Sequence, residues 1–315
     1  MPSVQKKSAP FLLVVLAFLI VYAVWGSTYF FISKAVAGFP PFFLGAFRFI
    51  IAGTLLLGWC IFSGLPVFNK KNIFHAGISG ILMLGVGNGI VIWVEQFLPS
   101  GLVAIMVSSA AIWFVILDKG KWKENFSNKF TVAGLIIGFL GVILLFWEQL
   151  TASFSVQQDS RNVLGMILLI IGPIGWAGGS LYSKYHPAPD SPASVSTAWQ
   201  MLIAGVLFIP GSIIAGEMND FQFQNVPESA WWSIAYLIIF GSIVAFSAYV
   251  WLLQVRPATQ VSTYAYVNPV VAVLLAVFFA NEIISIIQIT GLVVILASVL
   301  LINLSKYKKS PVKAT

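Results

Sequence analysis

Ile92-Trp93-Val94-Glu95-Gln96-Phe97-Leu98-Pro99-Ser100-Gly101 closes one long apolar run and opens the next, and Val250-Trp251-Leu252-Leu253-Gln254-Val255-Arg256-Pro257-Ala258-Thr259 does the same later in the chain. Trp93 and Trp251 stand in one register ahead of their prolines. Outward from these junctions the match continues. Asn72 to Phe97 leads on to Val103 to Leu117, as Trp231 to Val255 leads on to Val261 to Leu275, and Val132-Ala133-Gly134 answers Ile289-Thr290-Gly291. Trp25-Gly26-Ser27 and Ser33-Lys34 answer Trp176, Gly178-Gly179-Ser180 and Ser183-Lys184, while Pro40 and Ala52-Gly53 answer Pro192 and Ala204-Gly205. Collinear order over nearly the whole chain marks an internal repeat, with one unit at 1–150 and a second at 151–315, the latter ending in a basic tail. Each unit holds five apolar runs, and an odd number of membrane crossings forces the two copies into opposite orientations.

Composition says what the solvent is. Of 315 residues, 59% are hydrophobic and 9% charged, and the mean hydropathy is +0.95. Such a chain lacks the polar surface to cover a water-soluble globule. A helix needs about 20 apolar residues to cross the hydrocarbon layer, and ten stretches offer them: 11–36, 41–63, 72–95, 99–118, 129–147, 161–183, 195–215, 229–253, 258–279 and 285–304. The runs are apolar on all sides, whereas barrel strands would alternate. The expected fold is therefore all-α, ten transmembrane helices in two inverted five-helix repeats around a central cavity. Lys6 and Lys7 ahead of the apolar run resemble the start of a signal peptide, but Phe11 to Ile32 is too long for one and its end recurs around Trp176. The lone Cys60 lies within a span, so no intrachain disulfide can form.

The net charge of +7 is a topology signal. With the N-terminus in the cytoplasm, all of the 17 cations except Lys34, Arg48 and Arg161 fall on the cytoplasmic side, as the positive-inside rule requires. Both termini are then cytoplasmic, in a multi-pass protein of the cell (inner) membrane. Basic residues spread over short loops and two tails do not form a nucleic-acid surface. No His-Glu-x-x-His, paired-aspartate or Cys-His motif is present, and Gly120-Lys121 lacks the rest of a phosphate-binding loop. No enzyme, metal, cofactor or nucleotide engine is expected.

Polar side chains inside a lipid-facing bundle are costly unless they turn inward, so helical spacing points at the cavity. Trp25, Thr28 and Tyr29 share a face of the first span and Trp176 and Ser180 one of the sixth. Asn88 and Glu95 align on the third, beside Gly85, Gly87 and Gly89, which permit close helix approach or a loosened backbone. Gln260, Tyr264 and Asn268 recur every four residues in the ninth, and Ser108, Ser109 and Trp113 complete the set from the fourth. Aromatic walls with a few hydrogen-bonding groups suit a small molecule; the same residue types also serve interfacial belts and helix contact. Lys34, Arg48 and Glu95 fall at similar depth, Arg48 roughly 10 Å below the outer end of its helix at 1.5 Å per residue. Glu95 paired with Arg48 or Lys34 is the expected outer gate, taking up a proton when the pair opens; a static ion pair is the alternative.

Val24-Trp25-Gly26-Ser27-Thr28-Tyr29, Phe39-Pro40-Pro41 with Arg48-Phe49, Gly87-Asn88-Gly89 with Trp93 and Glu95-Gln96, Pro99-Ser100-Gly101, and Tyr264-Ala265-Tyr266-Val267-Asn268-Pro269-Val270-Val271 with Asn281-Glu282 together resemble the EamA family of the drug/metabolite transporter superfamily, over about residues 10 to 304. The resemblance implies a ten-helix exporter of small metabolites, often amino acids or amphipathic compounds, driven by a gradient rather than by ATP. Two departures stand out. Ala110-Ala111-Ile112-Trp113 replaces the usual fourth-span proline, although Asn268-Pro269 keeps it in the ninth, and Asp118-Lys119-Gly120-Lys121 replaces the usual end of the fourth span. Pro269 is thus the expected hinge, and the ninth helix is expected to bend more than the fourth.

Three classes of function follow. A secondary exporter of a small, largely neutral or zwitterionic metabolite, working by alternating access as monomer or homodimer and open to proton coupling, fits best. A nucleotide-sugar or organic-phosphate exchanger needs two or more cavity cations, for which only Lys34 and Arg48 could serve. A multispan lipid-modifying enzyme or membrane scaffold is the alternative outside transport.

Overall fold

In the computed structural model, residues 9–307 are described except 149, 152–159, 188–190, 220 and 281–283. Asn281-Glu282 and the basic residues Lys6, Lys7, Lys308, Lys309 and Lys313 lie outside the described residues. Regular structure among the described residues is helical throughout. Helices fall at all ten expected positions: Phe11–Val36, Pro41–Phe62, Lys70–Val94, Ser100–Ser108 with Ala110–Leu117, Lys129–Leu145, Ser160–Tyr185, Ala193–Ile214, Glu228–Val255, Ala258–Val261 with Tyr264–Ala280, and Ile286–Tyr307, here called first to tenth. Seven are long and apolar enough to cross a membrane. An eighth is the bent pair Leu102–Leu117 and Lys119–Ser127, turned by 67°. The fifth is a shorter apolar helix.

Local chemistry sets the boundaries. Pro10, Pro40, Pro99, Pro192, Pro227 and Pro257 each immediately precede a helix, where a residue without an N–H forfeits no ladder bond. Elsewhere asparagine caps the start. The Asn69 side chain accepts from the N–H groups of Lys71 and Asn72 at 3.0 and 3.1 Å, and that of Asn128 from Phe130 and Thr131 at 3.1 and 3.2 Å. Leu16, Leu19, Leu140, Ile167, Leu296 and Leu300 point outward and are exposed, as a bundle solvated by lipid requires.

Packing relates the halves by a pseudo-twofold. The most extensive contacts join the second helix to the seventh and the fifth to the tenth, equivalent members of the two repeats. The first packs on the eighth and ninth, and reciprocally the sixth packs on the third and fourth. Loops confirm the sense of the operation. The turns after the first and third helices gather with the turn after the seventh around one groove of about 560 Å³. At the other end Tyr185, at the close of the sixth helix, donates to Asp118 after the fourth at 2.7 Å. Trp199 of the seventh donates to the Val67 carbonyl after the second at 2.9 Å. Turns that follow odd helices of one half thus share an end with the turn after the second helix of the other, so the halves run in opposite directions.

The third and eighth helices occupy matching places and carry matching irregularities. Each widens into a π-helical stretch, Ile81–Asn88 and Leu237–Val244, a device found where a helix must present backbone groups or bend. In the third, glycines set the contact: a Cβ on Gly80 would lie 2.5 Å from the Gln200 carbonyl oxygen and 2.8 Å from its Cα, and one on Gly87 would press on Trp176 at 3.1 Å. The ninth helix runs unbroken through Pro269 and is interrupted earlier, at Ser262 and Thr263, whose hydroxyls donate to the Thr259 and Gln260 carbonyls at 3.1 and 2.8 Å. The fourth is also interrupted, at Ser109, which donates to the Met106 carbonyl at 2.6 Å. A hydroxyl that takes a backbone acceptor offers the chain an alternative to the helix ladder, and such residues stand at both interruptions.

Gly80→Ala forces backbone against backbone and is expected to cost about 1–3 kcal/mol of stability. Gly58→Ala, whose methyl meets nothing within 4 Å, is expected to be silent. Thermal unfolding of the detergent-solubilised chain compares them; equal melting temperatures would refute this account of the contact between the third and seventh helices.

Candidate functional site

A cavity of about 90 Å³ sits where the halves meet. The first half contributes Trp25, Thr28 and Tyr29, Arg48 and Phe49, Leu84, Gly87 and Asn88, and Val107 and Ala110. The second contributes Leu169, Pro173 and Trp176, Gly241, Ser242 and Phe246, and Tyr264 and Asn268. At about 30 Å³ of liquid volume per water, the space holds a few waters.

Its apolar wall is an aromatic cluster. Trp25 meets Trp176 edge-on at 5.4 Å between centroids, Tyr264 edge-on at 5.1 Å and Tyr249 at 4.9 Å. Tyr249 and Tyr264 are 5.4 Å apart and nearly perpendicular. Edge-to-face geometry of this kind follows from the ring quadrupoles. Hydrogen bonds lock the rings. The Trp25 indole N–H donates to the Gly241 carbonyl at 3.0 Å, inside the π-helical stretch of the eighth helix. The Trp176 N–H donates to the Tyr249 hydroxyl at 3.0 Å, and Ser180 shares a 2.6 Å hydrogen bond with that hydroxyl. The cluster spans first, sixth, eighth and ninth helices, so it ties one half to the other.

The polar wall is under-satisfied. Arg48 is 4% exposed. Its Nε–H donates to Ser242 Oγ at 2.8 Å, its guanidinium lies 4.9 Å from the centre of the Phe49 ring, and its Nη1 is buried without a hydrogen-bond partner. Asn88 Oδ1 and Asn268 Oδ1 are likewise buried and unpartnered. Beyond the cavity lining, both carboxylate oxygens of Glu95 are buried without a partner, near enough to Tyr29 for electrostatic interaction. Buried polar groups in proteins are nearly always paired, so four orphans in one region mark it out.

Of the residues singled out by spacing, Trp25, Thr28, Tyr29, Asn88, Trp176, Tyr264 and Asn268 line the cavity, as do Gly87 and Arg48. The others do not. Ser108 and Ser109 turn their hydroxyls to the Ile105 and Met106 carbonyls, Trp113 packs into the core, Gln260 donates to Asn303 of the tenth helix at 2.8 Å, and Ser180 supports Tyr249 from behind. Gly89 faces Phe208, 2.9 Å from where its Cβ would be. Arg48, Lys34 and Glu95 form no ion pair among the described residues. Arg48 is drawn to Ser242, and Lys34 is exposed with its ammonium 5.6 Å from the Phe30 ring centre. Spacing missed the eighth helix altogether. Gly241, Ser242, Phe246 and Tyr249 lie in a run that reads as plain lipid-facing helix, and its one legible cue is Tyr249 amid that apolar stretch.

The sequence profile of the EamA-like transporter family matches residues 12–147 and again 163–304. The Escherichia coli (strain K12) protein named "Uncharacterized inner membrane transporter YedA" is 37% identical over 289 residues, 91% of this chain and 89% of that protein. "Uncharacterized transporter" of Archaeoglobus fulgidus is 24% identical, covering 82% of this chain and 86% of its own. A chain known from a crystal structure shares the fold at 18% identity, with a TM-score of 0.74 over 94% of this chain and 99% of its length. Two profile matches end to end, and a relative this similar over nine-tenths of the chain, place it: the protein is a multi-pass membrane protein that belongs to the EamA-like transporter family.

Proposed function

We propose that the chain is a secondary active exporter of a small metabolite, amino acid-like or amphipathic, that works by alternating access with both termini in the cytoplasm. The observation that carries this reading is a cavity at the level of the aromatic cluster whose wall comes from both halves. Rocking one half against the other about that wall exposes it to each side in turn. At about 90 Å³ it is smaller than the roughly 300–1,000 Å³ of a typical ligand pocket, so loading requires the walls to part. The π-helical stretches of the third and eighth helices supply compliance on both sides. The exchanger of organic phosphates is less well supported, because Arg48 is the sole Lys or Arg among the described lining residues.

Contacts between the halves hold each end. At the outer end of this topology Glu217 of the second half accepts the Phe42 and Phe43 N–H groups of the first at 3.0 and 2.8 Å, capping a helix whose first turn otherwise leaves those donors free. At the inner end Asp118 accepts from Tyr185. With Thr28→Cys as a probe in a Cys60→Ser background, Glu217→Ala is expected to raise labelling from outside and Asp118→Asn labelling from inside. The same labelling from both sides in either variant would refute the assignment of ends.

Reconstitution in proteoliposomes with labelled amino acids and cationic drugs, with and without a proton gradient, tests the transport itself. Saturable, gradient-sensitive movement is expected; its absence across the panel would overturn the proposal. Glu95, a buried carboxylate without a partner, is the coupling residue of this reading. Glu95→Gln is expected to leave downhill movement while removing the gradient dependence, and an unchanged pH profile would dismiss the role.

A further inference from the structure

Arg48 presents a problem of charge. A guanidinium stays protonated under any ordinary condition, and one inside the hydrocarbon layer without an anion is expensive enough that such residues mark function and call for a named partner. The described residues supply none. The guanidinium has one neutral hydrogen bond, to Ser242, its Nη1 is buried with nothing to donate to, and the residue lines the cavity. Glu95, the nearest expected partner by depth, is itself unpartnered. An anion from outside the described residues would complete the guanidinium's pairing.

Resting on the transporter reading above, we propose that Arg48 anchors the carboxylate of the transported compound, and that this one contact decides which compounds the cavity accepts. The geometry favours it. The bond from Nε to Ser242 fixes the guanidinium plane against the eighth helix and, once the walls part, leaves the Nη edge to form the two parallel bonds that suit a carboxylate. Asn88 and Asn268, each with a buried unpartnered side-chain oxygen and the latter 4% exposed, stand in the same wall as hydrogen-bonding partners for a neighbouring substituent. The rings of Trp25, Trp176, Phe246 and Tyr264 take the apolar body. One guanidinium neutralises one negative charge. A monocarboxylate is thus fully matched, while a phosphate ester carries a second charge into a cavity with no second cation among its described lining residues, and a cation without a carboxylate meets only repulsion.

The test uses matched ligands on the purified full-length chain in detergent. Each of a panel of L-amino acids and 2-oxo acids is compared with its amide, and benzoate with phenyl phosphate. Binding is read by the fluorescence of Trp25 and Trp176 against the other tryptophans and by thermal stabilisation. Wild type is expected to prefer at least one acid over its amide by about tenfold or more, the scale of a charge-assisted hydrogen bond. R48Q is expected to abolish that preference without weakening the amides, and R48K to keep part of it. Amides that bind as well as every acid, a phosphate that outcompetes its carboxylate, no acid bound at all, or a folded R48Q that keeps the preference would each overturn the proposal. If R48Q does not fold, the wild-type comparison of acid with amide still decides. Saturable transport of cationic drugs without any preference for acids would sink the anchor while leaving the transporter reading intact.

Discussion

Lipid offers no hydrogen bonds, and that single deficit orders this structure. Each backbone polar group must be satisfied within its own helix and each polar side chain must turn toward other protein, so the few hydrophilic groups of a 59% hydrophobic chain are concentrated where helices face one another. Short hydroxyls meet the demand on their own helix, as Ser108, Ser109, Thr28 and Ser262 do by donating to carbonyls three residues back. Larger groups cannot, and they cross to a neighbour. The indoles of Trp25 and Trp176 and the guanidinium of Arg48 all find their acceptors on the eighth helix, at Gly241, Tyr249 and Ser242.

That convergence gives the eighth helix a role its composition conceals. Its π-helical stretch spoils the regular ladder and leaves a carbonyl, that of Gly241, for an indole to use. The third helix, its counterpart, has the same irregularity but spends it on proximity: a Cβ at Gly80 would collide with the seventh helix and one at Gly87 would press on Trp176 of the sixth. Pseudo-symmetry in this molecule is therefore a matter of architecture and less of chemistry. One widened helix supplies acceptors for the wall of the cavity and the other supplies room beside it.

The same asymmetry explains how much could be read beforehand. Large amphipathic side chains in mid-span were informative, because Trp25, Tyr29, Trp176 and Tyr264 cannot be buried in lipid without orienting their polar ends. Serine was not, since a hydroxyl bonded to its own backbone needs no cavity and leaves no trace of which way it faces. Gln260 failed for a related reason: its partner Asn303 lies in another helix, a pairing that spacing within one helix cannot reveal. Depth along a helix carried no information on azimuth, and azimuth sends Lys34 to the surface and Arg48 to Ser242 and leaves Glu95 buried without a partner.

The sequence by itself determined the solvent, the helical class, the repeat and the positions of ten helices, because hydrophobic runs and collinear matches are properties of the chain read in one dimension. Only the tertiary structure decided which faces meet. The entry of Gly241 and Tyr249 into the wall around Trp25 and Trp176 and the isolation of a buried arginine from every described carboxylate depend on rotation of one helix against another. Those rotations are set by close packing between halves far apart in sequence, and no periodicity within a single span encodes them.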